Sequence, residues 1–221
     1  IGINKYDTTH FDASVIQSIY IRADQPGHRQ IYPTGPSFFD RTGSSNHRTA
    51  QPQTDMQTLR IYLLQTPAVY WGESPISIKR RTVRNLLFYL ACQPEIDRAR
   101  LCTLFWPDLL EEESRPILRT TLAKLRDALP DSSLVVTAGD SMMLDSNRVW
   151  VDVREFRDLV KVNLRPAQQI ANQQPLPEAL AQQLRRAANL WSVNEFWPGA
   201  DFYDQPDLED WARDLRQETG Y

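Results

Sequence analysis

Between Ser114 and Leu129 the chain places Arg115, Arg119, Lys124 and Arg126 against a single carboxylate, Asp127. At about 100° per residue, Leu118, Leu122, Leu125 and Leu129 fall within roughly 60° of arc and make one buried helical seam. Arg115, Arg119 and Arg126 then share one flank, while Pro116, Thr120, Ala123, Lys124 and Asp127 point away from the seam. A solvated bundle helix ordinarily mixes charges on its outer face. A face this cationic, with forked guanidinium donors, suits an anion, and above all the phosphates and base-edge acceptors of duplex DNA. A plain solvated helix face is the alternative.

A second cationic cluster stands upstream, where Lys79, Arg80, Arg81 and Arg84 lie within six positions. They open a helix whose apolar residues are Val83, Leu86, Leu87, Leu90 and Ala91. Cations at a helix start meet the positive end of the macrodipole, a cost that a nearby phosphate would relieve. Residues 79–126 carry ten basic against six acidic side chains, so an anionic partner is expected there. The net charge of −3 excludes binding of nucleic acid over the whole surface, which needs a broad positive field. The last third is acidic, with 8 basic against 12 acidic residues over 152–221.

Other chemistry finds little support. The sequence lacks the glycine-rich phosphate loops, the dinucleotide fingerprint and the nucleophile elbow. Glu111, Glu112 and Glu113 precede a helix, where carboxylates complement the dipole. Cys92 and Cys102 lie in helical, apolar text and read as core residues. His10, His28 and His47 have no ligand spacing. The expectation is a binding protein, neither an enzyme nor a holder of cofactor or metal. With no membrane-length apolar run and no leader-like start, a cytoplasmic protein without a membrane partner is expected.

These side chains need a scaffold. Residues 1–57 read as a tail and linker, with one possible strand at Val15 to Ile21 and a Pro, Gly, Ser and Asn-rich stretch from Pro33 to Thr58. From Thr58 the pattern predicts three short strands (the alternation at Leu59, Ile61 and Leu63, then 66–71 and 74–78), a helix after Lys79 that Gln93-Pro94 ends, and helices over about 97–106 and 114–129. Strand text at 134–138, a Gly139-Asp140 turn, strand text at 142–144 and a last strand at 149–153 follow. The spacing therefore predicts an α+β winged helix-turn-helix over 58–151, followed over 152–221 by an all-α domain of paired helices.

Leu104 to Leu129, LFWPDLLEEESRPILRTTLAKLRDAL, resembles the recognition region of SARP-type bacterial transcriptional activators. Arg81 to Ala91, RTVRNLLFYLA, is similar to the family's first helix, and Trp150 to Phe156, WVDVREF, to its junction with the bacterial transcriptional activator domain. Leu190-Trp191, Phe196-Trp197-Pro198-Gly199 and Asp210-Trp211 match that second domain. The resemblance implies an OmpR/PhoB-type winged helix whose third helix enters the DNA major groove, followed by a partial, TPR-like activator domain. It places Arg115, Arg119, Thr120, Ala123 and Lys124 toward the groove, Arg126 near a phosphate, and Arg81 and Arg84 at the backbone. It also implies contact with RNA polymerase and tandem binding of double-stranded DNA on direct repeats.

The hairpin departs from the family pattern. Ala138, Ser141 and Met142 stand where a basic residue and a Gly-Tyr pair are usual. Pro116 stands where the family has a helix former, so a helix start at Ser114 is expected, with Pro116 in its tolerant first turn. The competing reading is a protein-interaction module whose winged helix no longer binds DNA and whose acidic helices dock a partner. Finally, Leu208, Trp211, Ala212 and Leu215 form an apolar stripe. Helical arrays usually need about three or more repeats, so further helices beyond residue 221 are expected to cover it.

Overall fold

A computed structural model of the chain describes residues 58–171, 177–191 and 196–220. The tail, with its possible strand and the three histidines, lies outside the described residues.

Strand β1 (Leu59–Tyr62) pairs antiparallel with β2 (Ala68–Trp71), which pairs with β3 (Ser74–Pro75). In β1 the pleat buries Leu59 and Ile61 completely. On the other face Tyr62 meets the rings of Tyr70 and Trp150, 5.9 and 5.2 Å away. Helices α1 (Arg81–Cys92), α2 (Arg98–Phe105) and α3 (Glu111–Ala128) follow, with a two-residue strand β4 (Ile96–Asp97) before α2. Strand β5 (Val135–Ala138) and β6 (Ser141–Leu144) form a hairpin whose turn is opened by Gly139 at φ +61°, and β4 joins its far edge. Strand β7 (Val149–Val151) returns to pair in parallel with β1, giving the order β3-β2-β1-β7.

Several boundaries differ from expectation. The third strand keeps only two residues, and the last strand stops at Val151 because helix α4 (Asp152–Ala171) begins at once. The pairing of β4 with β6 was not legible, since two residues carry no periodicity.

Asp152 explains the early start of α4. Its buried carboxylate accepts the N–H groups of Leu63 (2.8 and 2.9 Å), Leu64 (2.8 Å) and Val153 (2.7 Å). It thereby ties the end of β1 to a helix start. Burial raises its pKa to about 6, against the downward pull of those backbone donors.

The remaining helices are α5 (Glu178–Leu190) and α6 (Pro206–Gly220). α4 pairs with α5, where Phe156 stacks on Trp191 at 5.3 Å. Both α4 and the stretch from Phe196 onward turn back onto α1. At the end of α1, Arg154 donates to the carbonyls of Leu90 (3.0 Å), Ala91 (2.7 Å) and Gln93 (2.7 Å), satisfying groups a helix leaves open. In its middle, Phe88 meets Trp197 at 5.3 Å and Tyr89 meets Trp211 at 4.6 Å. Trp197 sits in the left-handed region at φ 52°, costly for a bulky residue, yet is only 2% exposed and donates its N–H to the Leu63 carbonyl at 2.7 Å.

Helix α1 is consequently buried all round from Asn85 to Cys92, where the sequence suggested a single apolar face. The Trp211 stripe, expected to be covered by helices beyond residue 221, likewise finds partners among the described residues. Leu208, Ala212 and Leu215 are already buried, and Trp211 packs on Tyr89 and Phe196. Both cysteines are buried, and burial pushes the Cys92 thiol up to about 12, as suits a core residue.

Candidate nucleic-acid interface

Helix α3 starts at Glu111, one turn earlier than the expected Ser114. Three glutamates complement the dipole of its first turn, and the Glu113 carboxylate accepts the Leu110 N–H at 3.1 Å. Pro116 therefore lies in the second turn, where it costs the bond to the Glu112 carbonyl. Glu112 is exposed, so water can take that bond. The leucine seam is as the spacing predicted: Leu118, Leu122, Leu125 and Leu129 are all buried.

With the seam held, Arg115, Arg119, Thr120, Ala123 and Lys124 are exposed along one face. They differ in what they touch. Arg115 is bound by Glu111 through Nε (2.8 Å) and Nη2 (2.6 Å), which raises its pKa. Thr120 donates its hydroxyl to the Pro116 carbonyl at 3.0 Å. Arg126 reaches across to the hairpin, where Nη2 donates to Thr137 Oγ1 at 2.9 Å and to the Val135 carbonyl at 3.4 Å, fixing α3 against β5. Arg119 and Lys124 have no hydrogen-bond or ion-pair partner among the described residues.

The cluster at the start of α1 is arranged differently. Helix α1 has no carboxylate in its first turn and no side-chain cap. The missing anion arrives from 120 residues away: Asp201 Oδ2 lies 3.4 Å from Arg81 Nη1, and the Arg81 guanidinium sits 5.1 Å from the Tyr203 ring centroid. Beneath it, Asn85 Nδ2 donates to the Asp201 carbonyl (3.0 Å) and to Gln205 Oε1 (2.7 Å). The Tyr203 N–H and then Arg81 hold the Asp201 carboxyl below its ordinary pKa. Arg84 is half-buried nearby, while Lys79 and Arg80 are exposed.

Sequence reasoning missed Arg98, at the start of α2. Its backbone N–H donates to the Asp140 carbonyl in the hairpin turn at 3.0 Å, and its side chain lines a recess with Arg115, Arg119 and Arg126. The available signal was an arginine in the first turn of a helix, with Arg100 two positions on, a pattern too common to single out. Among the described residues no group of three or more His, Cys, Asp or Glu could hold a metal ion, and no helix is long and apolar enough to cross a membrane.

No family model and no curated protein matches the chain. Among solved structures, it is similar to EmbR of Mycobacterium tuberculosis, determined in complex with a low-affinity phosphopeptide, at 18% sequence identity and a TM-score of 0.50. The likeness covers 74% of this chain and 43% of that one. At such identity it is a likeness of fold: a mixed α/β unit with small sheets followed by helices.

Proposed function

We propose that the chain is a sequence-specific DNA-binding transcriptional regulator of the SARP type, acting as an activator by binding rather than by chemistry. Residues 58–151 form the winged-helix DNA-binding domain, with β5–β6 as its wing, and 152–221 part of a TPR-like activator domain. The observation that carries the reading is the outer face of α3, where Arg119 and Lys124 stand exposed, and without a partner among the described residues, beside Thr120 and Ala123. Arg119 and Lys124 donate to base edges in the major groove, and Arg126 and Arg84 lie toward the phosphates. The likeness to EmbR supports the fold on which this reading rests. Contact with RNA polymerase, tandem binding on direct repeats and a cytoplasmic location belong to the same proposal.

A second reading, a protein-interaction module that no longer binds DNA, is favoured by the ion pair that engages Arg81 with Asp201. Selection of duplexes from a random pool by the full chain separates the two. Recovery of a common sequence, bound less tightly as salt rises, supports the first. A pool that stays random and unbound supports the second.

A further inference from the structure

Beside the outer face of α3 lies a recess of about 380 Å³, bounded by α3 and the start of α2. Four guanidinium groups line it, those of Arg98, Arg115, Arg119 and Arg126, with Glu112 as the one carboxylate in its wall. Leu118 and Leu122 also line it, so its floor is apolar. Not all of this charge is available. Glu111 engages Arg115, and Asp140 lies near enough to act on it, while Arg126 is turned partly to Thr137. Arg119 is unpartnered among the described residues, and Arg98 carries a buried Nε–H with no acceptor. No hydrogen bond or ion pair among the described residues engages the Arg98 side chain, so its guanidinium is available to an anion in the recess.

We infer that this recess seats one backbone phosphate of the bound duplex, with Arg98 as its principal donor. The inference rests on the proposed DNA-binding role of α3 and adds to it a residue, Arg98, from outside that helix. Charge-assisted, forked bonds from guanidinium to phosphate are strong, and an apolar floor strengthens them by lowering the local dielectric. Arg119 is shared between the recess and the outer face of α3. A phosphate held there would therefore lie alongside a helix inserted in the major groove, where a duplex strand must pass. The backbone bond from Arg98 to Asp140 fixes the start of α2 against the hairpin, so the main chain that carries the donor is held in place before the duplex arrives.

A free phosphate anion shares this chemistry, and the test separates the two sources. Duplexes carrying the selected sequence would be made with a single neutral methylphosphonate at each linkage in turn, and their affinity for the full chain and for its Arg98→Ala variant compared. The expected result is that Arg98→Ala weakens selected and scrambled duplexes alike by about fivefold to tenfold and lowers the salt slope by about one. One linkage should lose about as much when neutralised, and at that linkage the two losses should not add. Arg98→Lys should keep most of the salt slope but lose part of the affinity, and it serves if Arg98→Ala folds poorly. Losses that add at every linkage would overturn the proposal. So would saturable binding of inorganic phosphate that Arg98→Ala abolishes while duplex affinity stays intact. If Arg119→Ala and Lys124→Ala also leave duplex affinity unchanged, the DNA-binding reading itself fails; if only Arg98→Ala does, the fault lies with the recess.

Discussion

At the start of α1, Arg81 is held between the Asp201 carboxylate and the Tyr203 ring, and Asn85 beneath it is bonded to Asp201 and Gln205. Along α3, Arg119 and Lys124 face outward with no partner among the described residues. The two stretches carry the same kinds of side chain, four cations each, and by sequence alone either could meet a phosphate. What separates them is the returning chain. Residues 196–205 bring an anion to the first stretch, and no described residue bonds the side chain of Arg119 or Lys124. A basic cluster is evidence of a binding surface only once the fold's own carboxylates have been placed.

The strongest way to break this contrast is to loosen the returning chain. Trp197 is buried against Phe88, Phe196 and Phe202. Trp197→Ala should cost about 3 to 5 kcal/mol in denaturant unfolding. A loss below about 1 kcal/mol would mean that this segment does not clasp α1 in solution.

Asp152 holds the other side of the clasp and supplies a pH test. Its folded pKa of about 6 lies above the roughly 3.9 of an unfolded aspartate, so the folded state binds the proton more readily. The stability this contributes is complete below about pH 4 and is lost as pH rises through about 6. Relative to Asp152→Asn, which does not titrate, the wild-type chain should lose on the order of 2 to 3 kcal/mol between pH 4 and pH 7. Unfolding free energies that differ by a constant over that range would contradict the assignment.

Smaller effects sharpen the contrast. Asp201→Asn removes a partly exposed ion pair, so thermal stability should hardly change. Arg81 would then be available, and affinity for any duplex should rise modestly. Unchanged affinity would mean that Arg81 lies away from the phosphates altogether. Arg84→Ala should weaken all sequences alike and lower the salt slope by about one, a result read from binding isotherms at several salt concentrations.

Local patterns carried much of the architecture. The Leu118, Leu122, Leu125 and Leu129 seam predicted which face of α3 is buried, and the alternation of Leu59 and Ile61 predicted a pleated strand. Cys92 and Cys102 were legible as core residues. The failures involve partners distant in sequence or elements too short for a period. β4 is two residues long, and the anion for Arg81 lies 120 residues away. The start of α3 was displaced by weighting Pro116 over the three glutamates, whose dipole complementation extends the helix by a turn. The Trp211 stripe was correctly apolar, but its partner was assigned to further helices because the helices just before it seemed too few to cover it, and α1, distant in sequence, was not counted. Arg98 was missed because a recess is a property of packing and has no periodicity.

The central claim is that the outer face of α3 reads sequence, and the most direct measurement is the ratio of affinities for the selected and a scrambled duplex. Arg119→Ala and Lys124→Ala should each lower affinity for the selected duplex by on the order of 1 to 3 kcal/mol. Combined, they should bring the ratio toward one with the unfolding midpoint unchanged, because both side chains are exposed and lie outside the leucine seam. A double variant that folds normally and keeps the wild-type ratio would contradict the account.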